Sequence, residues 1–148
     1  MIVQINHENI DACLKMGLNL WPDMDKIEFL EEIENAINSR TAPIFMYKKE
    51  SGDHIGFIQL SIRNDYVEGT TSSPVAYIEG LYVEAAHRKT GVANELVEYA
   101  KSWGQSIGCI EMASDCEIEN KASIDFHKRI GFHEANRIVC FVKPIEGD

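Results

Sequence analysis

An apolar run from Val75 to Val83 leads into the turn Arg88-Lys89-Thr90-Gly91-Val92-Ala93, and a helix-like run follows from Val92 to Ile107. Strand, glycine-bearing turn and helix in that order leave few folds open, because the chain must pass from a sheet to a layer packed on it. The first N–H groups of a helix have no partner inside it, and the helix dipole adds partial positive charge there. Such a bend suits a pyrophosphate. Gly91 lets the backbone approach an anion with no Cβ in the way. Ala93 keeps the next step uncrowded, and Arg88 and Lys89 add two full charges. The segment is not a Walker loop, since no Gly-Lys-Ser/Thr follows, and it lacks the Gly-x-Gly-x-x-Gly of a dinucleotide fingerprint. On the turn alone, a basic helix cap is an equally good reading.

The rest of the chain organises around that unit without repeats, linkers or low-complexity blocks. Ile2 to Ile5 alternates like a strand. Asn6 is placed to cap a helix reaching Leu20, with Ile10, Cys13, Leu14, Gly17 and Leu18 on one face. Trp21-Pro22-Asp23 breaks it. A second helix is predicted over Asp25 to Ser39, with Ile27, Leu30, Ile33 and Ile37 inward and Glu28, Glu31, Glu32 and Glu34 outward. Pro43 to Lys48 and Ile55 to Arg63 read as strands joined at Ser51-Gly52-Asp53. Gly80, inside the Val75–Val83 strand, marks a bulge or a close backbone approach. The helix from Gly91 to Ser106 is expected to bury Val92, Leu96, Val97, Ala100 and Trp103. Cys109 to Ala113 is the next strand. A helix from Asn120 to Ile130 ends at Gly131 as a left-handed cap, and Ile138 to Val142 is expected as the last strand. One α/β (α+β) domain over residues 1–148 follows, one central sheet with helices on both faces and two right-handed crossovers.

Charge narrows the partners. The 148 residues carry a net charge of −10, so a nucleic acid, which needs a basic face, is not expected. A negative field instead steers cations, although acidity alone also serves solubility. No run approaches the roughly 20 apolar residues of a membrane helix. Met1 to Asn6 has no basic flank, so cytoplasmic residence is the expectation. The four cysteines, Cys13, Cys109, Cys116 and Cys140, form no Cys-x-x-Cys pair, and no histidine lies at zinc-ligand spacing from a cysteine pair. No metal is expected, and the cysteines read as buried free thiols.

Arg88-x-x-Gly91-x-Ala93 resembles the acyl-CoA pyrophosphate loop of the GNAT superfamily of N-acetyltransferases. Asn120 at a helix start, Ser123 behind it and Gly131-Phe132 at the helix end fit the second half of that pattern. Further segments resemble the aminoglycoside 6′-N-acetyltransferases within it: Leu20-Trp21-Pro22, Tyr66-Val67-Glu68-Gly69-Thr70, Ser73-Pro74-Val75-Ala76, Glu79-Gly80-Leu81-Tyr82-Val83, Ala113-Ser114-Asp115 and Gly131-Phe132-His133-Glu134. The likeness spans nearly the whole chain and implies the GNAT acyl-CoA N-acyltransferase fold, with a mixed central sheet and helices on both faces.

The resemblance implies acetyl-CoA as co-substrate. Arg88, Lys89, Thr90, Gly91, Val92 and Ala93 would hold the pyrophosphate. Backbone groups of Leu81, Tyr82 and Val83, with Asn120, would hold the thioester and pantetheine. It also implies that Trp21, Tyr66, Glu79 and Asp115 contact an aminoglycoside, whose ammonium groups call for carboxylates and aromatic faces. Asn136 stands where the family often has an acidic residue, and His127 where many relatives carry a tyrosine that can protonate the departing thiolate. A histidine can donate that proton, but a solvated helix residue is the commoner case. An alkyl ammonium, with a pKa of roughly 10.4, must lose a proton before it attacks. Glu79 is expected to accept it through ordered water, with Asp115 placing the amine. The expected activity is acetyl transfer to the 6′-amino group of aminoglycosides in a ternary complex, conferring resistance, by a homodimer. Phe141 and Tyr82 fit either an interface or a core. A polyamine or another amine metabolite as acceptor, and a non-catalytic CoA-binding sensor, are the alternatives.

Overall fold

Side-chain alternation decides how the sheet is layered. In the computed structural model, which describes residues 1–147, strands β1 (Ile2–Gln4), β2 (Ile44–Lys48), β3 (His54–Arg63), β4 (Val75–Val83) and β5 (Met112–Ala113) lie in the order β1-β2-β3-β4-β5. The first four pair antiparallel, and β5 joins β4 in parallel. Ile44, Met46 and Phe57 turn to one face, where they share a core with Ile5, Cys13, Met16, Phe29 and Ile33. Helices α1 (Ile10–Leu20) and α2 (Lys26–Ala36) bring those last residues. Phe45 points the opposite way, as strand periodicity requires. Its ring meets Tyr99 of α3 (Val92–Ile107) edge-on, with centroids 4.8 Å apart. The mixed sheet with helices on both faces is thus as expected. The described residues fall into two units, Met1–Asp115 and a smaller one from Cys116 onward. No helix among them is long and apolar enough to cross a membrane.

Several boundaries differ from the sequence reading, each for a local reason. Asn6 does not cap α1; its side chain accepts the Glu8 N–H at 2.8 Å while Asn9 accepts the Asn6 N–H at 2.8 Å, so a polar turn precedes the helix. In α2 the predicted stripe holds at Ile33, which is buried, and at Ile37, which packs on the same core, but not at Ile27. Asp25 caps the helix, accepting the N–H groups of Ile27 and Glu28 at 2.9 and 3.1 Å, and Phe29, Ile33 and Ala36 go inward while Ile27 is 74% exposed. Burying Phe29 removes more apolar area than burying Ile27, and Phe29 lies about one turn before Ile33 on the same face. In α3, Gly104 takes the buried place predicted for Trp103. The Trp103 indole N–H instead donates to the Arg40 carbonyl at 2.9 Å.

The smaller unit contains α4 (Lys121–Arg129). The Asn120 side chain caps it by accepting the Ser123 N–H at 3.1 Å. Gly131, at φ 102°, turns the chain out of the helix, and the Phe132 N–H returns to the His127 carbonyl at 2.9 Å. The expected strand Ile138–Val142 is not formed, and with it goes the second crossover. Its residues have no ladder partner among the described residues, and a strand exists only by pairing. Ile138, Val139, Phe141 and Val142 are 60% to 97% exposed.

Candidate functional site

Strand β4 carries one residue more than its partner needs. Gln59 faces Gly80 and Leu60 faces Ile78, so Glu79 has no opposite number. This is a β-bulge, and bulges re-aim side chains. Here it sets Glu79 and Gly80 on the same side of the sheet. Of the two alternatives for Gly80 the bulge is present; what comes close is a side chain and not another backbone, since a Cβ there would run into the Trp21 indole. Trp21 is fixed in turn by the helix end, where its N–H bonds the Gly17 carbonyl at 2.8 Å, and by edge contact with Phe29 at 5.6 Å.

Trp21 and Glu79 line one open cavity of about 590 Å³. Asp25, Glu28 and Glu32 of the α2 side line it too, with Gln59 and Ser61 of β3. The acidic outer face of α2 therefore borders the site instead of merely facing solvent. Four carboxylates and an indole make a surface for a cation with an apolar body.

Glu79 is held at one side of that cavity. The Ser61 hydroxyl donates to its Oε2 at 2.5 Å, and Arg63 Nη2 donates to Oε1 and Oε2 at 3.1 and 2.9 Å. The Arg63 guanidinium lies over the Tyr77 ring, 3.4 Å from its centroid. The Tyr77 hydroxyl donates to Asp115. Burial first, and the bond to Asp115 second, hold the Tyr77 phenol above the usual tyrosine range. Glu79 and Asp115, singled out separately from sequence, are thus the two ends of one polar chain. Tyr66 is 76% exposed and does not line the cavity.

The predicted phosphate turn is built mostly of main chain. Lys89 and Gly91 both take positive φ, 62° and 92°. Gly91 precedes the first residue of α3, no side chain caps the helix there, and a Cβ at Gly91 would meet nothing within 4 Å. The N–H groups of Val92 and Ala93, in the first turn of α3, have no intrahelical partner by geometry. Thr90 donates to the His87 carbonyl. Arg88 Nε donates to the Val83 carbonyl at 2.8 Å and its guanidinium lies 5.6 Å from the Tyr82 ring centroid, tying the turn to the end of β4. Tyr82 is a core residue, 9% exposed. The β4–β5 ladder ends at Tyr77 and Ala113. Beyond it, the β5 side of β4 from Ile78 through Leu81, Tyr82 and Val83 has no strand neighbour among the described residues. An open main-chain edge leading to an uncapped helix start fits a long acyl carrier ending in a diphosphate.

In the smaller unit, Asn120 is the α4 cap described above. Asn136 is exposed and accepts the Arg137 N–H at 2.9 Å through its own side chain. His127 Nδ1 lies 2.7 Å from the Ser123 carbonyl, with its ring edge-on to Phe126 and Phe132.

Cys13 and Cys109 are buried, as expected, but Cys116 and Cys140 are exposed. They fall in the unit whose apolar side chains are largely uncovered. Burial pushes the Cys13 thiol up to about 12, so it is not a nucleophile at neutral pH. Sequence reading missed Ser61, Arg63 and Tyr77. Strand parity held a signal: residues 59, 61 and 63 share a face, and Arg63 ends an otherwise uncharged run after His54.

Residues 9–132 match the Acetyltransferase (GNAT) family. The chain is 38% identical over 126 residues, 85% of itself and 86% of the relative, to an aminoglycoside N(6′)-acetyltransferase type 1 of an Acinetobacter genomospecies. It is 35% identical over 145 residues, 98% of itself and 99% of the relative, to the Serratia marcescens protein of the same name. Its fold matches that of AAC(6′)-Iy solved with a bisubstrate analogue, CoA-S-monomethyl-acetylneamine, at a TM-score of 0.92, with 35% identity and 97% of each chain covered.

Proposed function

This chain belongs to the GNAT family of acetyltransferases and, within it, to the aminoglycoside N(6′)-acetyltransferases, and from that premise we propose that it transfers the acetyl group of acetyl-CoA to the 6′-amino group of aminoglycosides. The observation that carries the proposal is the bulge: it sets Glu79 beside Trp21 in an acidic cavity, on the same strand whose outer edge is open.

The acceptor enters as a polyammonium sugar, drawn by the carboxylates of the cavity wall and packed by Trp21. Tyr66 and Asp115 complete its contacts, and Asn136 adjusts them by offering an amide where relatives often have a carboxylate. The 6′-ammonium gives its proton to Glu79 through ordered water, and the neutral amine attacks the thioester carbonyl carbon. Alignment supplies most of the rate, because a carboxylate next to an ammonium also steadies the charged form. The main-chain N–H at Leu81 faces the charge that develops on the carbonyl oxygen, and backbone groups around Leu81 and Val83 bond the thioester and pantetheine. Arg88 to Ala93 hold the diphosphate, and Asn120 bonds the pantetheine arm. The leaving thiolate takes its proton from water, or from His127.

The same reading makes residues 1–148 one acetyltransferase domain, since the family match crosses from the larger unit into the smaller. It makes the protein a homodimer in the cytoplasm, conferring aminoglycoside resistance. Phe141, 92% exposed, and its apolar neighbours favour a partner copy. Unpaired cysteines suit a reducing compartment. A polyamine is the second acceptor class, favoured by the line of carboxylates that α2 adds to the cavity. Kanamycin and spermidine, each incubated with the protein and acetyl-CoA and read by mass spectrometry with the modified nitrogen mapped, separate the two. Acetyl on the kanamycin 6′ nitrogen is expected; product from spermidine alone transfers the function to polyamines.

A further inference from the structure

Glu79 is already occupied by a cation of the chain itself. Arg63 Nη2 reaches both carboxylate oxygens, at 3.1 and 2.9 Å, from the last residue of β3. An ammonium group of an acceptor would need those same oxygens. We propose that Arg63 is a tethered stand-in for the acceptor's ammonium group, which neutralises Glu79 and must be displaced when the acceptor binds, so that Arg63 sets how strongly cationic an acceptor must be. The inference rests on the acetyl-transfer reading and adds to it a residue that governs specificity.

The geometry suits a contact that is made and broken. The side chains of Arg63 and Glu79 are 43% and 32% exposed, so water and salt weaken their attraction. Arg63 also has somewhere to stay when Glu79 is taken, since its guanidinium is stacked on Tyr77 at 3.4 Å from the ring centroid. Tyr77 is 6% exposed and its hydroxyl is bonded to Asp115, so this platform is fixed. Ser61, which donates to Glu79 at 2.5 Å, keeps one oxygen of the carboxylate in place after Arg63 lets go. A lone ammonium competes with Arg63 on near-equal terms. A polyammonium sugar, held in addition by the carboxylates of α2, competes with an advantage.

The test uses Arg63→Met, which keeps an apolar stem and loses the charge, and Arg63→Lys, which keeps the charge and loses the planar stacking surface. Kanamycin is titrated calorimetrically into each protein saturated with CoA, and steady-state acetylation is measured in parallel. Arg63→Met is expected to bind kanamycin about ten-fold tighter than the parent, with KM falling and kcat changing much less, and Arg63→Lys to lie between the two. If Arg63 merely braces the strand, Arg63→Met raises KM and lowers kcat together. That outcome, or unchanged affinity, or no kanamycin binding by any of the three proteins, overturns the proposal. Should Arg63→Met not fold, Arg63→Lys decides alone: affinity above the parent's supports displacement, and affinity equal or lower refutes it. Tighter binding by the variants with no acetylated kanamycin from the parent retains the role of Arg63 and removes the acetyl-transfer reading. Acetylated product without the gain in affinity does the reverse.

Discussion

The acidic cavity and the turn at the start of α3 suit ligands of opposite charge, and they are built from different parts of the polypeptide. The cavity works through side chains: Glu79, Asp25, Glu28 and Glu32 for charge, Trp21 for contact. The turn works through main chain, with Gly91 at φ 92° and a helix start that no side chain caps. A site made of side chains can be re-tuned one residue at a time. A site made of N–H groups depends on backbone path and tolerates wide change in the side chains around it. The acceptor side should therefore be sensitive to charge and the donor side to conformation.

The sharpest way to break this contrast is Glu79→Gln. Removing the base is expected to lower kcat at neutral pH by about 100-fold or more. The loss should shrink as pH rises and the free amine becomes common, and a pH–rate profile checks it. A flat ratio across the pH range removes Glu79 as the base. Next in size is Gly91→Val. Its Cβ would meet nothing, so the effect is conformational: about 1–2 kcal/mol of left-handed strain at the helix start. Steady-state kinetics should show the acetyl-CoA KM rising about ten-fold while the acceptor KM holds. Arg88→Ala should act in the same direction but less, about three-fold, because the side chain braces the turn through the Val83 carbonyl as well as adding charge. Equal effects on both substrates would contradict the division between the two regions.

The smallest expected effect concerns Tyr77. Burial and its bond to Asp115 raise its ionisation in the folded state. Between the ordinary tyrosine value of about 10 and that raised value, the unfolded chain releases this proton and the folded chain does not. Stability from Tyr77 is thus complete below about pH 10 and declines above it. Thermal unfolding at rising alkaline pH should show this decline, and Tyr77→Phe should flatten it.

Much of both regions was legible in the sequence, for unequal reasons. The turn could be read directly, because glycine and a helix start are local features. Gly80 was readable as an exception inside a strand, and the structure shows why: the Trp21 ring occupies the space of its side chain. Arg63 escaped because its role depends on how β3 registers against β4, and a bulge shifts that register by one residue. The α2 stripe was misread at its start, where Ile27 and Phe29 lie on opposite sides of the helix and only packing decides which of them turns inward. The strand expected at Ile138–Val142 has the right composition but no ladder partner among the described residues. Pairing is a property of the partner as much as of the segment.

The division of labour is tested most directly by a crystal structure of the protein with CoA and kanamycin bound together. The diphosphate is expected on the main-chain N–H groups of residues 88–93, and the 6′ amine within hydrogen-bonding reach, directly or through one water, of Glu79. A diphosphate gripped instead by side chains elsewhere, or a sugar lying away from the Trp21–Glu79 cavity, would contradict it.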